Sequence, residues 1–355
     1  MVDSPPALAD LTPQFLTGVL RSHGFVTNIT DVTVQPIGTG QVGATYRLTL
    51  AQTGNGPATL VAKLPSNDPL SKATGKSHLT YIRESRFYQC FAGKKPMPVP
   101  QHLLISFDEE SHDFALLMHD LPRHRAGNQL ESPTQKEAML AMEAAASIHA
   151  AWWDDPILDT LDWLNGTKAV PPPLDTNDLY SFFWPQFCDR YGARVTPLMR
   201  RVGEAYLGKV GQWQDGQSGP RCLTHNDFRP DNMLFDLEDA IQPIVIVDWQ
   251  TVGVGIGAGD IAYYMGTALE SETRAGEEVA LFAHYCSALR AKNVPEHDIE
   301  PLWDIYRKSS FSGFLMGATA AMVVQQTERG DAMFLTMCAR SAAMVLDHGA
   351  VALPQ

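Results

Sequence analysis

The side chains best suited to chemistry lie in one short polar segment between two apolar runs. His225 and Asp227 are followed, five residues after the aspartate, by Asn232, in the pattern H-x-D-x-x-x-x-N. Phosphoryl transfer needs a carboxylate beside the acceptor hydroxyl and oxygen ligands for Mg²⁺. The pattern therefore predicts Asp227 as the general base and Asn232 as a metal ligand, with His225 in the same candidate catalytic set. Taken alone, the segment also fits a polar turn between two strands.

A second carboxylate follows where another metal ligand is needed. Residues 244–247 form an apolar run that ends at Asp248, sixteen residues after Asn232. Mg²⁺ prefers hard oxygen ligands and keeps several waters, so one carboxylate, one amide and the phosphates of ATP would complete its shell. Asp248 is thus predicted to bind the metal. Arg229, two residues after the base, either stabilises charge on the transferred phosphoryl group or pairs with Asp231.

A glycine-rich segment near the N-terminus is a candidate phosphate-binding loop. Gly38, Gly40 and Gly43 match G-x-G-x-x-G, which alone fits a plain turn equally well. A dinucleotide-binding fold would place a helix after the glycines, but residues 45–50 alternate as a strand. The segment is therefore predicted to be a hairpin turn whose backbone N–H groups approach the nucleotide.

Lys63 and Glu84 are predicted to orient the nucleotide. Lys63 lies in a strand-like run, residues 60–64, that is close to the V-A-I-K pattern, and Glu84 lies on the helix predicted next. A surface network of Glu84 with Arg83 and Arg86 is the alternative. Met118, at the end of a later strand, is a further candidate nucleotide contact.

The elements that must position these residues divide the chain into two parts. Residues 32–37, 45–50 and 59–64 predict an antiparallel meander, followed by a helix at 77–91 and strands at 101–107 and 114–118. From residue 133 onward helices dominate, at 137–153, 179–201, 202–213, 261–270, 277–292, 299–324 and 331–346. The predicted fold class is α+β. A small five-stranded antiparallel nucleotide-binding lobe, residues 1–118, precedes a large helical lobe, residues 119–355, with the catalytic loop and an acceptor pocket.

The composition of the chain excludes several classes of binding partner and location. The net charge of −13 argues against a nucleic-acid surface, which needs clustered Lys and Arg. The five scattered cysteines have neither metal-ligand nor paired spacing. The first residues lack the basic start and apolar run of a signal peptide, and the charge-free stretch 309–324 is too short to span a membrane. We therefore expect a cytoplasmic monomer or homodimer acting on a small hydroxylated molecule.

Together these motifs resemble the aminoglycoside phosphotransferase and choline kinase superfamily, in a bacterial branch similar to ecdysteroid-kinase-like and acyl-CoA-linked phosphotransferases. The resemblance covers nearly the whole chain and is carried by residues 40–47, 83–88, 147–153, 223–235, 247–250 and 259–263. It implies a protein-kinase-like bilobal fold and ATP- and Mg²⁺-dependent phosphorylation of an alcohol. It also implies that Asp260 braces the catalytic loop; a helix N-cap is the alternative.

Two positions depart from related patterns. Asn226 stands where the family usually has glycine, which makes the backbone geometry of the loop an open question. Trp249 and Gln250 replace the Phe-Gly of protein kinases, a substitution that the resembling branch shares.

Three alternatives concern the class of enzyme and its acceptor. Only eleven residues separate Asp248 from Asp260 and no A-P-E segment follows, which argues against a protein kinase. An inactive nucleotide-binding pseudokinase is disfavoured, because such proteins commonly lack at least one functional residue that this chain retains. The helical insertion, residues 133–220, contains aromatic residues that either form core or line a pocket, which would be apolar or would enclose a quaternary ammonium. A mainly apolar acceptor is preferred over an aminoglycoside, choline or ethanolamine is the alternative, and the acceptor itself is not identified.

Overall fold

In a computed structural model, which describes residues 4–38, 42–165 and 176–350, the chain forms two compact units. The first comprises Met1–Lys95, Val99–His124 and Val247–Thr251, and the second comprises Pro96–Pro98, Arg125–Ile246 and Val252–Gln355. The first unit thus continues six residues past the proposed boundary at 118 and includes the segment that carries Asp248.

The first unit is built on one antiparallel sheet of five strands in the order β1-β2-β3-β5-β4. The strands are β1 (Thr27–Ile37), β2 (Gly43–Gly54), β3 (Thr59–Pro65), β4 (His102–Phe107) and β5 (Phe114–His119). Leu60, Ala62 and Leu64 alternate inward along β3, so every second residue of this strand enters the core. The predicted five-stranded antiparallel sheet is confirmed.

Three helices accompany this sheet. They are α1 (Pro13–Ser22), α2 (Pro69–Ser77) and α3 (Thr80–Cys90). The hydroxyl of Thr12 caps α1, whose leucines pack into the same core as the inner face of the sheet. The helix predicted over residues 77–91 is present as α3, but α2 was not predicted. Leu79 takes a left-handed φ of 57° and separates the two helices.

The second unit is mainly helical, as predicted, and its described residues also form five short strands. Its helices are α4 (Gln135–Ala151), α5 (Ile157–Thr160), α6 (Asp162–Asn165), α7 (Thr176–Tyr191), α8 (Pro197–Ala205), α9 (Val210–Asp215), α10 (Gly257–Ala268), α11 (Ser271–Ala291), α12 (Glu296–Ile299), α13 (Leu302–Lys308), α14 (Ser312–Val323) and α15 (Glu328–Asp347). Its strands are β6 (Arg125–Ala126), β7 (Cys222–Thr224), β8 (Met233–Phe235), β9 (Ile244–Ile246) and β10 (Gly253–Gly255). They form the antiparallel pair β10-β7 and the three-stranded sheet β6-β8-β9.

Two long helices predicted from periodicity are interrupted. The predicted helix 179–201 ends at Tyr191, Gly192 takes a φ of 52°, and Thr196 caps a new helix that starts at Pro197. The predicted helix 299–324 is divided into α13, a 3-10 turn at Ser309–Phe311, and α14. Hydrophobic period does not reveal such breaks, because both pieces of each helix are buried on one face.

The charge-free stretch 309–324, which lies within the predicted helix 299–324, has a structural explanation. Gly313 and Gly317 of α14 let the helix approach α15 closely, since a Cβ on either residue would contact Ser341 or Cys338 at under 3.0 Å. Within the described ranges, no helix has both the length and the apolar character needed to cross a membrane.

Candidate active site

The predicted catalytic loop connects two buried strands of the second unit. It leaves β7, which pairs with β10, and passes through a 3-10 turn at Pro230–Asn232 into β8, which pairs with β9. All residues of β7 and β9 are buried, so the ends of the loop are held by strands inside the core. The polar side chains of the loop are therefore carried by a backbone that is anchored at both ends in buried strands.

Asp260 fixes the backbone at the start of this loop. Its Oδ2 accepts a hydrogen bond of 2.7 Å from the N–H of His225, and its Oδ1 accepts one of 2.9 Å from the N–H of Asn226. Asp260 lies in the first turn of α10, whose N-cap is Ile256 and not Asp260. The bracing role implied by the resemblance is therefore confirmed, and the N-cap alternative is wrong.

A buried histidine supports Asp260 from behind. The Nε2 of His149 on α4 lies 3.2 Å from Asp260 Oδ2, and its Nδ1 lies 2.9 Å from the hydroxyl of Tyr285. A Cβ at Gly257 would lie 2.5 Å from His149 Nδ1, so glycine is needed there for the first turn of α10 to approach this pair. The brace is thus part of a packed polar network.

The backbone at Asn226 explains the departure from glycine. Asn226 has a φ of 61°, in the left-handed region that glycine adopts freely and that asparagine tolerates better than most residues. Its N–H is held by Asp260. Asparagine therefore preserves the loop geometry that was left open.

Three neighbours hold the carboxylate of Asp227. The hydroxyl of Tyr263 donates to Oδ1 at 2.7 Å, Nε of Arg229 donates to both oxygens at 3.0 and 3.1 Å, and Nδ2 of Asn232 donates to Oδ2 at 2.8 Å. Burial raises the pKa of Asp227, but Arg229 and Tyr263 outweigh it and hold the pKa below its ordinary value. Asp227 is therefore ionised at neutral pH and fixed in direction.

The imidazole of His225 points into the protein and forms a hydrogen bond within the catalytic loop. It is fully buried, and its Nδ1 accepts a hydrogen bond of 3.3 Å from the N–H of Asp227. This contact sets the backbone that carries the carboxylate. His225 is thus placed as a support of Asp227.

Arg229 pairs with Asp227 and with Asp231 at once. While its Nε contacts Asp227, its Nη1 donates to Oδ2 of Asp231 at 2.9 Å. Burial lowers the pKa of the guanidinium, but the two carboxylates outweigh it and raise the pKa above its ordinary value. Of the two roles considered for Arg229, the pairing with Asp231 is present, and the same side chain also reaches the predicted base.

In the first unit, Lys63 joins two carboxylates. Its Nζ lies 2.7 Å from Oε2 of Glu84 on α3 and 2.8 Å from Oδ1 of Asp248. The pKa of Lys63 is lowered by burial but raised further by Asp248 and Glu84, and the net result is above its ordinary value. Lys63 therefore stays protonated, and Glu84 pairs with it rather than with Arg86, which pairs with Glu109.

The remaining predicted nucleotide contacts are only partly described. Gly38 has a φ of 76° and directly follows β1, and Gly43 begins β2. Gly40 lies outside the described residues. Met118 is a buried residue of β5 paired in register with Val61.

The predicted metal ligands offer oxygen atoms. The amide Nδ2 of Asn232 donates hydrogen bonds to the backbone oxygen and to Oδ2 of Asp227. The amide oxygen of Asn232, Oδ1, is therefore the atom that could bind a metal ion. Asp248 has a φ of 67°, and its side chain is 23% exposed. Within the described ranges, no three His, Cys, Asp or Glu side chains gather as a metal site. Amide and carboxylate oxygens are both hard donors of the kind that Mg²⁺ prefers.

Sequence reasoning missed several residues that contact the loop, among them Tyr263 and Arg329. Tyr263 was part of a motif, but its bond to Asp227 was not foreseen. Arg329, in the first turn of α15, donates to both oxygens of Asp231 at 2.9 and 3.0 Å. Its distance in sequence from the loop leaves no local signal for this contact.

Comparison with solved structures supports the fold class. Plasmodium vivax ethanolamine kinase superimposes with a TM-score of 0.52 at 12% identity, over 91% of this chain and 82% of that one. The GDP complex of aminoglycoside 2'-phosphotransferase-IIIa gives 0.46 at 14% identity, over 93% and 98% of the two chains. A choline/ethanolamine kinase family protein from Mesorhizobium loti gives 0.41 at 12%, over 91% and 88%. The first of these matches, the one with a TM-score above 0.5, shows that the chain has an α+β, protein-kinase-like fold.

The family follows from the sequence match. The model of the phosphotransferase enzyme family APH matches residues 33–295. The chain belongs to this family, which confirms both the superfamily resemblance and the predicted class of enzyme, a phosphotransferase. A search of the curated proteins gave no significant match.

Proposed function

We propose that this protein is an ATP-dependent small-molecule kinase that transfers the γ-phosphate to a hydroxyl group of a small metabolite. In this proposal Asp227 is the base, and Asn232 and Asp248 would hold Mg²⁺. The observation that carries the proposal is the carboxylate of Asp227, which is held ionised and oriented by three donors on a loop braced by Asp260. A surface aspartate on a polar turn would not have this support.

In the proposed reaction Asp227 accepts the proton of the acceptor hydroxyl. The acceptor oxygen forms a bond to the γ-phosphorus as the bond to the bridging oxygen breaks, and ADP leaves with the electron pair. Because its pKa is low, Asp227 is a weak base that takes the proton as the new bond forms; orienting the hydroxyl is its larger contribution.

Arg229 is proposed to stabilise charge on the transferred phosphoryl group. Its Nε and Nη1 bind Asp227 and Asp231, whereas Nη2 makes no hydrogen bond to any residue that the structure describes. A planar guanidinium with an uncommitted donor next to the base can contact a phosphoryl oxygen. His225 supports the same loop from inside.

ATP is proposed to contact the first unit through Lys63, Gly38, Gly40, Gly43 and Met118. Glu84 holds the ammonium of Lys63, as the lysine and glutamate of kinases do when they orient phosphates. When bound, Mg²⁺ would neutralise charge on the phosphates, and the donor chemistry of an amide and a carboxylate fits it.

A mainly apolar acceptor is proposed in preference to an aminoglycoside. Polycationic acceptors need unpaired carboxylates, but Asp231 is bound by two arginines and Asp159 pairs with Arg221. In the insertion, Tyr180 and Trp184 belong to the hydrophobic core and do not line a pocket for a cationic acceptor. Choline, ethanolamine and aminoglycosides remain as alternatives in the test. A monomer or homodimer in the cytoplasm, without nucleic-acid or membrane partners, stays a prediction.

The test is ADP release coupled to a spectrophotometric assay. The acceptors are hydroxyacyl-CoAs, sterols, sugars, choline, ethanolamine and aminoglycosides, each with and without Mg²⁺. We expect release that requires both Mg²⁺ and an acceptor, and that Asp227→Asn abolishes while Asp189→Asn, an exposed aspartate of α7, retains it.

Three results would contradict parts of the proposal. Nucleotide binding without turnover across the whole panel would favour an inactive regulator. Full activity in Asp227→Asn would remove the base. A clear preference for an aminoglycoside would overturn the proposed acceptor class alone.

A further inference from the structure

Arg329 lies far from the catalytic loop in sequence and outside the range matched by the family model, residues 33–295. It stands in the first turn of α15, and its side chain is 41% exposed. Nevertheless it binds Asp231 with two nitrogens, Nη1 to Oδ2 at 3.0 Å and Nη2 to Oδ1 at 2.9 Å. This paired geometry is the strongest that an arginine and a carboxylate can form.

The contact extends a row of alternating charges that ends at the base. Arg329 binds Asp231, Asp231 binds Nη1 of Arg229, and Nε of Arg229 binds Asp227. The backbone N–H of Gln129 adds a bond of 2.8 Å to Asp231. Arg229 is therefore shared between two carboxylates, and only one of them has a second arginine.

This sharing depends on how strongly Asp231 attracts Arg229. With Arg329 present, the charge of Asp231 is already compensated, so Asp227 competes well for the guanidinium. Without Arg329, Asp231 would attract Arg229 more strongly, because an uncompensated carboxylate in a half-buried site gains most from a nearby cation. The guanidinium would then turn away from Asp227.

We propose that Arg329 is a positioning residue for phosphoryl transfer, holding Arg229 against Asp227 through Asp231. The inference rests on the proposed function, in which Asp227 is the base for the acceptor hydroxyl and Arg229 stabilises charge on the transferred phosphoryl group. Loss of Arg329 should slow the chemical step, because Arg329 acts on the orientation of Arg229 and Asp227 and is not proposed to bind either substrate. An ordinary surface ion pair would instead leave turnover unchanged.

Steady-state kinetics on the full chain test this role. We expect Arg329→Gln to lower kcat roughly tenfold, the loss that a small misplacement of a catalytic group brings. The KM values for ATP and acceptor should change by less than about twofold, because the lost interaction is made in the transition state. Arg329→Lys, which keeps the charge, should recover part of kcat.

A matched control and a double-mutant cycle give the test its specificity. Arg290→Gln removes an arginine of similar exposure, 45%, that also binds one carboxylate with two nitrogens, and it should leave kcat unchanged. If Arg329 acts through Asp231, adding Arg329→Gln to Asp231→Asn should cost nothing further. Additive losses, or a wild-type kcat in Arg329→Gln, would overturn the inference.

A readout that needs no acceptor separates this inference from the proposed function. The Nε–H signal of Arg229 in ¹⁵N NMR, assigned with Arg229→Lys, should shift in Arg329→Gln and not in Arg290→Gln. An unchanged signal would refute the positioning role even in an active enzyme. Absence of turnover in the wild type would refute the proposed function, and the NMR result would still decide the role of Arg329.

Discussion

The indole of Trp249 stacks on the phenyl ring of Phe87, with ring centroids 3.8 Å apart and planes 5° from parallel. Both side chains are completely buried. Trp249 directly follows Asp248, and Phe87 lies one turn after Glu84 on α3, so the stack ties together the two backbone segments whose carboxylates Lys63 joins. The tryptophan that replaces the phenylalanine of protein kinases thus serves as an anchor within the first unit.

Removing this anchor should destabilise the protein strongly. We expect Trp249→Ala to lower the free energy of unfolding by about 3–5 kcal/mol, because a large buried ring is replaced by a cavity. Urea denaturation measures the change. Phe182→Ala removes an aromatic ring that is 64% exposed and should have little effect. Equal losses in the two variants would show that the stack is not a major source of stability.

Because Asn226 has a left-handed backbone conformation, two substitutions at this position should differ in their effect on stability. Asn226→Val should lower the free energy of unfolding by about 1–3 kcal/mol, since a β-branched residue is strained at a φ of 61°. Asn226→Gly should stay within about 1 kcal/mol of the wild type, because glycine adopts this conformation without strain but gains freedom when unfolded. Thermal denaturation of both variants is the measurement. If valine were tolerated as well as glycine, the conformation of the loop would have to differ.

Lys63 should show the cost of an unpaired buried charge. Lys63→Met leaves Glu84, which is only 3% exposed, without its cation, and should lower the free energy of unfolding by about 3–5 kcal/mol. Adding Glu84→Gln removes the uncompensated charge and should recover part of the loss. Urea denaturation of the single and double variants measures both. A double variant no more stable than Lys63→Met would contradict the pairing.

The sequence revealed the parts of the site whose residues are close together in the chain. His225, Asp227 and Asn232 lie in one loop, and the hydrogen bonds that join them there agree with their short spacing in the sequence. The strand alternation around Lys63 likewise identified the sheet, because a period of two survives in any sheet with one buried face.

The rest depends on contacts between distant segments. The bond from Tyr263 to Asp227 joins residues 36 positions apart, and that from Arg329 to Asp231 joins residues 98 apart. Neither leaves a local pattern, since the residues around a tyrosine or an arginine on a helix do not indicate which distant residue its side chain contacts. The break at Gly192 was missed for a related reason: the apolar stripe continues across it, although Thr196-Pro197 is a readable start signal.

A second buried network, distinct from the catalytic loop, ties α15 to α11 and α13. Oε2 of Glu278 accepts hydrogen bonds from Nη1 of Arg274 at 2.7 Å and from the hydroxyl of Tyr306 at 3.0 Å, and lies 3.1 Å from Nε2 of His348. Burial raises the pKa of Glu278, but His348 and Arg274 outweigh it, so the pKa lies below its ordinary value.

This depressed pKa sets the sign of a pH dependence. A carboxylate that is easier to ionise in the folded state contributes stability above its unfolded pKa, about 4.3, and loses it as the pH falls through the lower folded value. We therefore expect the stability difference between wild type and Glu278→Gln to shrink as the pH falls from about 5 to about 3. Urea denaturation at several pH values measures it, and Glu277→Gln, one residue earlier on α11, should give a curve parallel to the wild type. A difference that grew on acidification would mean that burial, and not Arg274 and His348, dominates the ionisation of Glu278.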